Sequence, residues 1–314
     1  MENKVVTKLE DLNLVDRFLF DEVMEDGECY EAMVSILLEN EIHLLTRPQT
    51  EKELRISPQL RQVRLDVVSM DRSQRLYYTE MQKTDTGNLR KRSRLYQAQL
   101  DVSLLEPGTT NFNLLNDSCF ILIAPFDIFG KGLCRYTFEG TCRECPKLKI
   151  KDGAIRVFIN TQGTNREEFS QEFLDLMRYI TATTDAVPET SESKRLKLIH
   201  KKVKKIKLSE KMGVKYMQKW EELAYAREEG EAKGKAEGLA EGEIKGEKIQ
   251  LIKLVCKKLA RGKALQTIAE ELEEDEDLVA EICRAAEDSG PDYDFGRLYG
   301  KLWGNDTEAA KAGS

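Results

Sequence analysis

Histidine is nearly absent from this chain, with only His43 and His200 among 314 residues. An HExxH zinc hydrolase and a Ser-His-Asp triad both need imidazoles at fixed places, so this scarcity argues against both. The glycines form neither a Walker A loop nor a dinucleotide-binding turn, which removes the common nucleotide-binding readings. No apolar run approaches the roughly 20 residues of a membrane span. The opening MENKVVTKLEDLNLVD lacks the basic and apolar regions of a signal peptide, so the expectation is a cytoplasmic protein with no membrane partner. Seven cysteines, an odd number scattered from Cys29 to Cys283, fit reduced thiols better than a disulfide framework. Cys142 and Cys145 form a CxxC, but with no second pair a closed zinc site would need distant partners.

An apolar content of 40% is enough for one substantial core, and 33% charged residues point to exposed helical appendages. A net charge of −7 disfavours a protein that coats DNA uniformly. The basic residues are unevenly distributed, however, and local patches decide such contacts.

The most informative stretch is a hairpin. In VRLDVVSM, Val63, Leu65 and Val67 alternate with Arg64, Asp66 and Val68, and residues 76–82 form a second β-rich run, with the polar turn Asp71-Arg72-Ser73-Gln74 between them. Centring the hairpin on Ser73 sets Asp66 directly opposite Glu80, and Gln82 joins Glu80 on the same face by alternation. Two carboxylates this close resist joint ionisation unless a cation lies between them. Hard oxygen donors suit Mg²⁺ or Mn²⁺, which can activate water against a phosphodiester. Acids and amides in hairpins are more often solvent-facing strand residues, and spacing alone does not separate the two readings.

Asp66, then Glu80-x-Gln82, then LRKRSRLYQAQLD on a following helix resembles the PD-(D/E)XK nuclease superfamily, and within it the recombination-promoting nuclease, or transposase-associated, family. The likeness continues through FILIAPFDIFGKGLCRYTFEGTCRE and IKDGAIRVFINTQG, covering about Leu9 to Thr181. It implies an α/β (α+β) restriction-endonuclease-like core, a mixed sheet flanked by helices, and Mg²⁺-dependent DNA cleavage linked to recombination or mobile-element movement. By that resemblance Asp66 and Glu80 are metal ligands, the Met81 backbone carbonyl adds a third, and Gln82 stands where the motif has lysine. An amide there can orient water by hydrogen bonding but brings no charge. Arg94 and Tyr96 match an R-x-Y element that contacts a DNA phosphate; the plainer alternative is a solvated arginine and a tyrosine packed on the sheet. A first-helix acid completes the metal site in related folds, and Glu31 is the candidate here; its ordinary reading is a helix N-terminal acid favoured by the dipole. Departures from the family pattern fall at GTTNFNLL around Gly108 and at Ala124-Pro125.

Along the chain, DLNLVDRFLFDEVM and ECYEAMVSILLENEI read as amphipathic helices that pack through Phe18, Phe20, Val23, Met33, Ile36 and Leu37. Strands are expected at 42–46, 53–56, the hairpin, 119–124, 134–138 and 155–159, with EEFSQEFLDLMRYIT as a closing helix. A nuclease-like domain thus spans 1–188. A basic amphipathic region follows at 189–226, where Leu196, Ile199, Val203 and Ile206 share a stripe and Lys201, Lys202, Lys204 and Lys205 offer a DNA phosphate surface, or a solvated lysine face. Over 227–248, Gly230, Gly234, Gly238, Gly242 and Gly246 recur every fourth residue in a charged helix or spacer, each costing about 0.5–1 kcal/mol relative to alanine. Residues 249–288 read as a small helical bundle. Its GKALQTIAEEL is like the opening of a helix-turn-helix, but the acidic DEDLVAEICRAAED that follows argues against a DNA groove and for oligomerisation through the C-terminal helices. The last segment, 289–314, is expected to be a flexible tail.

Overall fold

A computed structural model describes residues 7–54, 63–105, 108–287 and 293–312. The chain divides into two units, Met1–Lys219 and Trp220–Ser314.

The first unit is a mixed α+β domain. Helices α1 (Arg17–Met24) and α2 (Gly27–Leu38) precede β1 (Gln49–Leu54), β2 (Val63–Met70) and β3 (Leu76–Met81); α3 (Leu89–Leu104) then leads to β4 (Ser118–Ala124), β5 (Arg135–Phe138) and β6 (Ala154–Asn160). Helices α4 (Gln171–Thr181), α5 (Ala186–Thr190) and α6 (Lys194–Lys207) complete it. The six strands lie in the order β1-β2-β3-β4-β6-β5. The pairs β1/β2, β2/β3 and β5/β6 are antiparallel, whereas β3/β4 and β4/β6 are parallel. Every residue of β3 and β4 is buried, as expected of strands covered on both faces. On one face Val67, Tyr77, Met81, Ile121 and Ile123 join the core formed with Phe20, Val23, Met33, Ile36, Ile180 and the helix α6 stripe; on the other, Tyr78, Phe120, Leu122 and Phe158 pack with Leu89 and Leu100 of α3.

The expected strands at 42–46 and 53–56 are replaced by the single strand β1. The approach to it makes only an isolated bridge, Leu44 to Asp71, and the far end of the second range, residues 55 and 56, lies outside the described residues. Strand β4 stops at Ala124 because Pro125, with no N–H, cannot continue the ladder. The basic stretch is part of the first unit rather than an appendage. Leu196, Ile199, Val203 and Ile206 are all buried in its core, and Ser193 caps α6 by accepting from Leu196 N–H at 2.9 Å.

Hairpin register is fixed by its turn. Asp71 Oδ1 accepts from Ser73 N–H, the Ser73 hydroxyl and Arg75 N–H at 2.8, 2.6 and 3.0 Å, while Asp71 Oδ2 accepts from the Tyr77 hydroxyl at 3.0 Å. One carboxylate thus satisfies the Ser73 and Arg75 donors of the reversal, while Gln74 N–H donates to the Asp71 carbonyl and Arg72 N–H to the His43 carbonyl. A one-residue slip would break all four bonds and turn Tyr78 away from its core.

Helix α7 runs Glu210–Leu259; its residues from Trp220 onward belong to the second unit with α8 (Leu265–Leu272), α9 (Glu276–Glu287) and α10 (Phe295–Ala312). Gly262, at φ +73°, follows the end of α7 in the left-handed region that favours glycine. Ile252, Val255, Ile268, Val279, Ile282 and Leu298 form a separate small core. The expected flexible tail is corrected in part: Phe295–Ala312 is helical, and Leu298, Tyr299, Leu302 and Trp303 supply an apolar face that packs on that core. The glycines of the four-residue repeat lie on α7 in open space, where an added Cβ would meet nothing within 4 Å.

Gly163 is the opposite case, since a Cβ there would come within 2.4 Å of the Cys134 backbone beside β5. Gly163→Ala is therefore expected to destabilise the first unit by about 1–3 kcal/mol in urea unfolding, through overpacking against backbone that cannot yield.

Candidate functional site

Strands β2 and β3 pair from Met70↔Leu76 to Val67↔Thr79, and the next step of that register brings Asp66 opposite Glu80. Here side chains take the place of the backbone ladder. Asp66 N–H donates to Glu80 Oε1 at 3.3 Å, and Met81 N–H donates to Asp66 Oδ2 at 3.0 Å. Beyond this point β2 remains paired with β1, while β3 remains paired with β4. The sheet parts around the two acids. The β1/β2 register also sets Glu51 opposite Asp66, between Thr50↔Val67 and Lys52↔Leu65, so three adjacent strands each carry an acid in one row.

Asp66 and Glu80 are 2% and 4% exposed. Burial pushes the carboxyl of Glu80 well above its usual range, and the neighbouring Asp66 charge adds to the shift. Burial also raises Asp66, against the pull of Arg17. The cations that offset this charge come from helices on either side. Arg17, in the first turn of α1, lies against Asp66 Oδ1 as an ion pair, off the hydrogen-bonding direction, and its Nε is 3.5 Å from Asp21 Oδ2. Arg92 of α3 is 4.0 Å from Glu80 Oε2.

Asp21 is the residue that sequence reasoning missed. It is buried, and neither of its carboxylate oxygens has a hydrogen-bond partner. Burial, reinforced by the Asp66 charge, pushes its carboxyl up to about 8. Asp21 sits four residues after Arg17 in FLFDEVM, where every residue except Glu22 is buried, but that pattern alone does not mark it as a site acid. Glu31, the expected first-helix acid, is corrected. Its Oε2 accepts from Leu44 N–H at 2.7 Å and its Oε1 faces His43, so it organises the approach to β1 rather than the acid pair. Geometry explains the difference, because α1 carries the acid that reaches Asp66's neighbour Arg17, whereas Glu31 belongs to α2.

Gln82 follows β3 with its amide occupied at both ends. Nε2 donates to Thr84 O at 2.7 Å, and Oε1 accepts from Arg92. Tyr96 is partly buried, its hydroxyl raised first by burial and then by the Glu80 charge, with the Arg92 guanidinium 5.6 Å from its ring centre. Arg94 is exposed on α3. The α6 lysines are less available than the sequence suggests: Lys202 binds Asp26 at 2.9 Å and Lys204 binds Asp185 at 2.9 Å, leaving Lys201 and Lys205 exposed without a salt bridge to an acid among the described residues.

Among the described residues, no group of three or more His, Cys, Asp or Glu side chains is gathered so as to hold a metal ion. None of the helices described is long and apolar enough to cross a membrane. No protein-family model, no curated protein and no solved structure matches the chain.

The Asp21 carboxyl gives a signed pH dependence. Between its unfolded pKa near ~3.9 and its folded value of about 8, the folded chain holds a proton that the unfolded chain releases, so this group's contribution to stability falls as pH rises through that window. Asp21→Asn removes the group. Its stability relative to the parent should rise from little change near pH ~4 to a gain of roughly 2–5 kcal/mol near pH ~8. Paired urea titrations across that range check this, and a difference that does not vary with pH would contradict it.

Proposed function

We propose that the first unit is a divalent-metal-dependent endonuclease of the PD-(D/E)XK type that hydrolyses DNA phosphodiesters, Mg²⁺ or Mn²⁺ being its cofactor, with a role in recombination or mobile-element movement. The observation that carries this reading is the buried Asp66/Glu80 pair at the parting of β2 and β3, with Asp21 beside it and both Asp21 oxygens unsatisfied. The donor chemistry fits the group, since these are hard carboxyl oxygens that burial leaves short of protein hydrogen bonds and that a bound cation would hold in their ionised form. Asp66 and Glu80 would hold the cation, with the Met81 carbonyl as the further donor implied by the motif and Asp21 standing beside them across Arg17. When bound, such an ion supplies charge that makes solvent more acidic and draws electrons from the phosphate.

The remaining chemistry belongs to the chain. Met81 N–H fixes one oxygen of Asp66, so that carboxylate keeps its orientation. Gln82 holds Arg92 near Glu80, which brings a positive charge to the site from α3 in place of the motif lysine. Arg94, exposed on the same helix but on a different face from Arg92, would bind a DNA phosphate through its planar fork, with Lys201 and Lys205 as secondary contacts. In a supercoiled-plasmid assay, nicking should require Mg²⁺ and fall by roughly 10²-fold or more in Asp66→Ala and Glu80→Ala. Nicking that survives Asp66→Ala would refute the assignment.

A second reading is favoured by Gln82, whose amide is already satisfied within the protein. It is a nuclease fold with weak cleavage that binds DNA and acts by self-association through the C-terminal helices, where Leu239 and Ile244 stand exposed on α7 beside the glycine repeat. If chains pair closely there, Gly234→Ala with Gly238→Ala should weaken association in analytical ultracentrifugation. If they do not, the same pair should only raise helicity, by about 0.5–1 kcal/mol per residue.

A further inference from the structure

We propose that Arg17 is a resident counter-ion that occupies the cation's place at Asp66 and must swing out before a divalent ion can bind. This rests on the metal-site reading above and concerns how that site is regulated. Asp66 has two oxygens. Oδ2 is committed to the Met81 N–H at 3.0 Å, so Oδ1 is the oxygen left to receive an external cation, and Arg17 lies directly against it. The same guanidinium reaches Asp21, with Nε 3.5 Å from Oδ2, so one side chain bridges Asp66 of the pair and the neighbouring Asp21.

The bridge is poorly made for permanence. Asp66 Oδ1 and both oxygens of Asp21 receive no aligned hydrogen bond, so the guanidinium balances charge without repaying the desolvation of the carboxylates. It is also free to leave. The Arg17 side chain is 46% exposed, against 2% for Asp66, so it reaches the acid from the solvent side with a path outward. A compact ion of charge +2 would satisfy the same oxygens with directed bonds and twice the charge. Entry of that ion and departure of Arg17 are then one exchange. Apparent affinity is reduced by the fraction of molecules in which Arg17 blocks the site.

The test is calorimetric titration of the full chain with Mn²⁺ at fixed pH, comparing the parent with Arg17→Met, Arg17→Gln and Arg92→Gln. The Arg17 variants should bind Mn²⁺ roughly 5- to 30-fold more tightly, corresponding to a blocking contact of about 1–2 kcal/mol. Arg92→Gln, which removes a nearby charge of the same sign without uncovering Asp66 Oδ1, should change affinity less. Equal or weaker binding by the Arg17 variants, or an equal gain from Arg92→Gln, overturns the inference while leaving the metal site in place. Absence of Mn²⁺ binding by parent and variants alike overturns the metal-site reading and this inference with it.

A measurement on the parent protein stands independently of whether the variants fold. Labelling of Arg17 by an arginine-directed dicarbonyl, followed by peptide mass spectrometry, should accelerate several-fold when Mg²⁺ is added. Labelling that is unchanged or slowed by Mg²⁺ means that Arg17 stays in place, and overturns the exchange.

Discussion

The site depends on the parting of β2 from β3. A strand pair normally satisfies its own backbone, and a buried gap between strands would strand donors at a cost of about 1–3 kcal/mol each. Here the gap is filled by carboxylates: Glu80 takes the N–H of Asp66, and Asp66 takes the N–H of Met81. The acids are therefore structural before they are chemical. They allow β2 to follow β1 and β3 to follow β4, and they cannot move far without exposing unsatisfied amides. A carboxylate whose position is set by backbone donors is already oriented for whatever it binds, which is the usual requirement of a precise site.

How far the sequence revealed this varies with the range of the interaction. The hairpin was legible because its determinants are local. The turn Asp71-Arg72-Ser73-Gln74 fixes the register, and alternation then places Asp66 against Glu80 by counting. The stripe of Leu196, Ile199, Val203 and Ile206 was legible for the same reason, since a 3.6-residue period identifies a buried face whatever covers it. Asp21 was not legible. Its significance comes from the approach of α1 to the edge of the sheet, and no local pattern marks an acid that will lack partners after folding. Glu31 drew attention as an acid near a helix start, yet local pattern could not show that Leu44 N–H would claim it. Nor could it show that β1 would be the one strand before the hairpin among the described residues, because Leu44 and its neighbours follow the Asp71 turn rather than a full ladder.

Charge is distributed by the same logic. The α6 lysines look like one basic surface in the sequence, but a helix whose apolar stripe is buried must bring its flanking residues against its neighbours. Lys202 meets Asp26, which also caps α2, and Lys204 meets Asp185 ahead of α5. Exposed pairs of this kind contribute little to stability, on the order of 0–1 kcal/mol, yet they reduce the positive field offered to a phosphate backbone. The start of α3 differs. Its buried face uses Leu89, Ser93, Gln97 and Leu100, a spacing that leaves Arg90, Lys91 and Arg94 on the outside and turns Arg92 toward Glu80. In the nuclease reading, the helix that supports the acids therefore also presents exposed cations, Arg90 over the Phe129 ring and Lys91 and Arg94 facing outward.

This arrangement bears on Gln82, which stands where the nuclease reading would have a lysine. A lysine at 82 would place its ammonium at the end of its own flexible stem, next to Glu80. Gln82 instead uses both ends of a short amide, one on Thr84 O and one on Arg92, so that a guanidinium from another element is carried to 4.0 Å from Glu80. Positive charge is retained, but it is delivered across a tertiary contact and shared with Tyr96. Such a charge is less mobile than an ammonium and is ionised at every accessible pH. It is suited to holding a phosphate or a carboxylate in place and unsuited to giving up a proton. In the proposed enzyme, proton transfer would then fall to solvent and the acids, with Arg92 acting through position and charge.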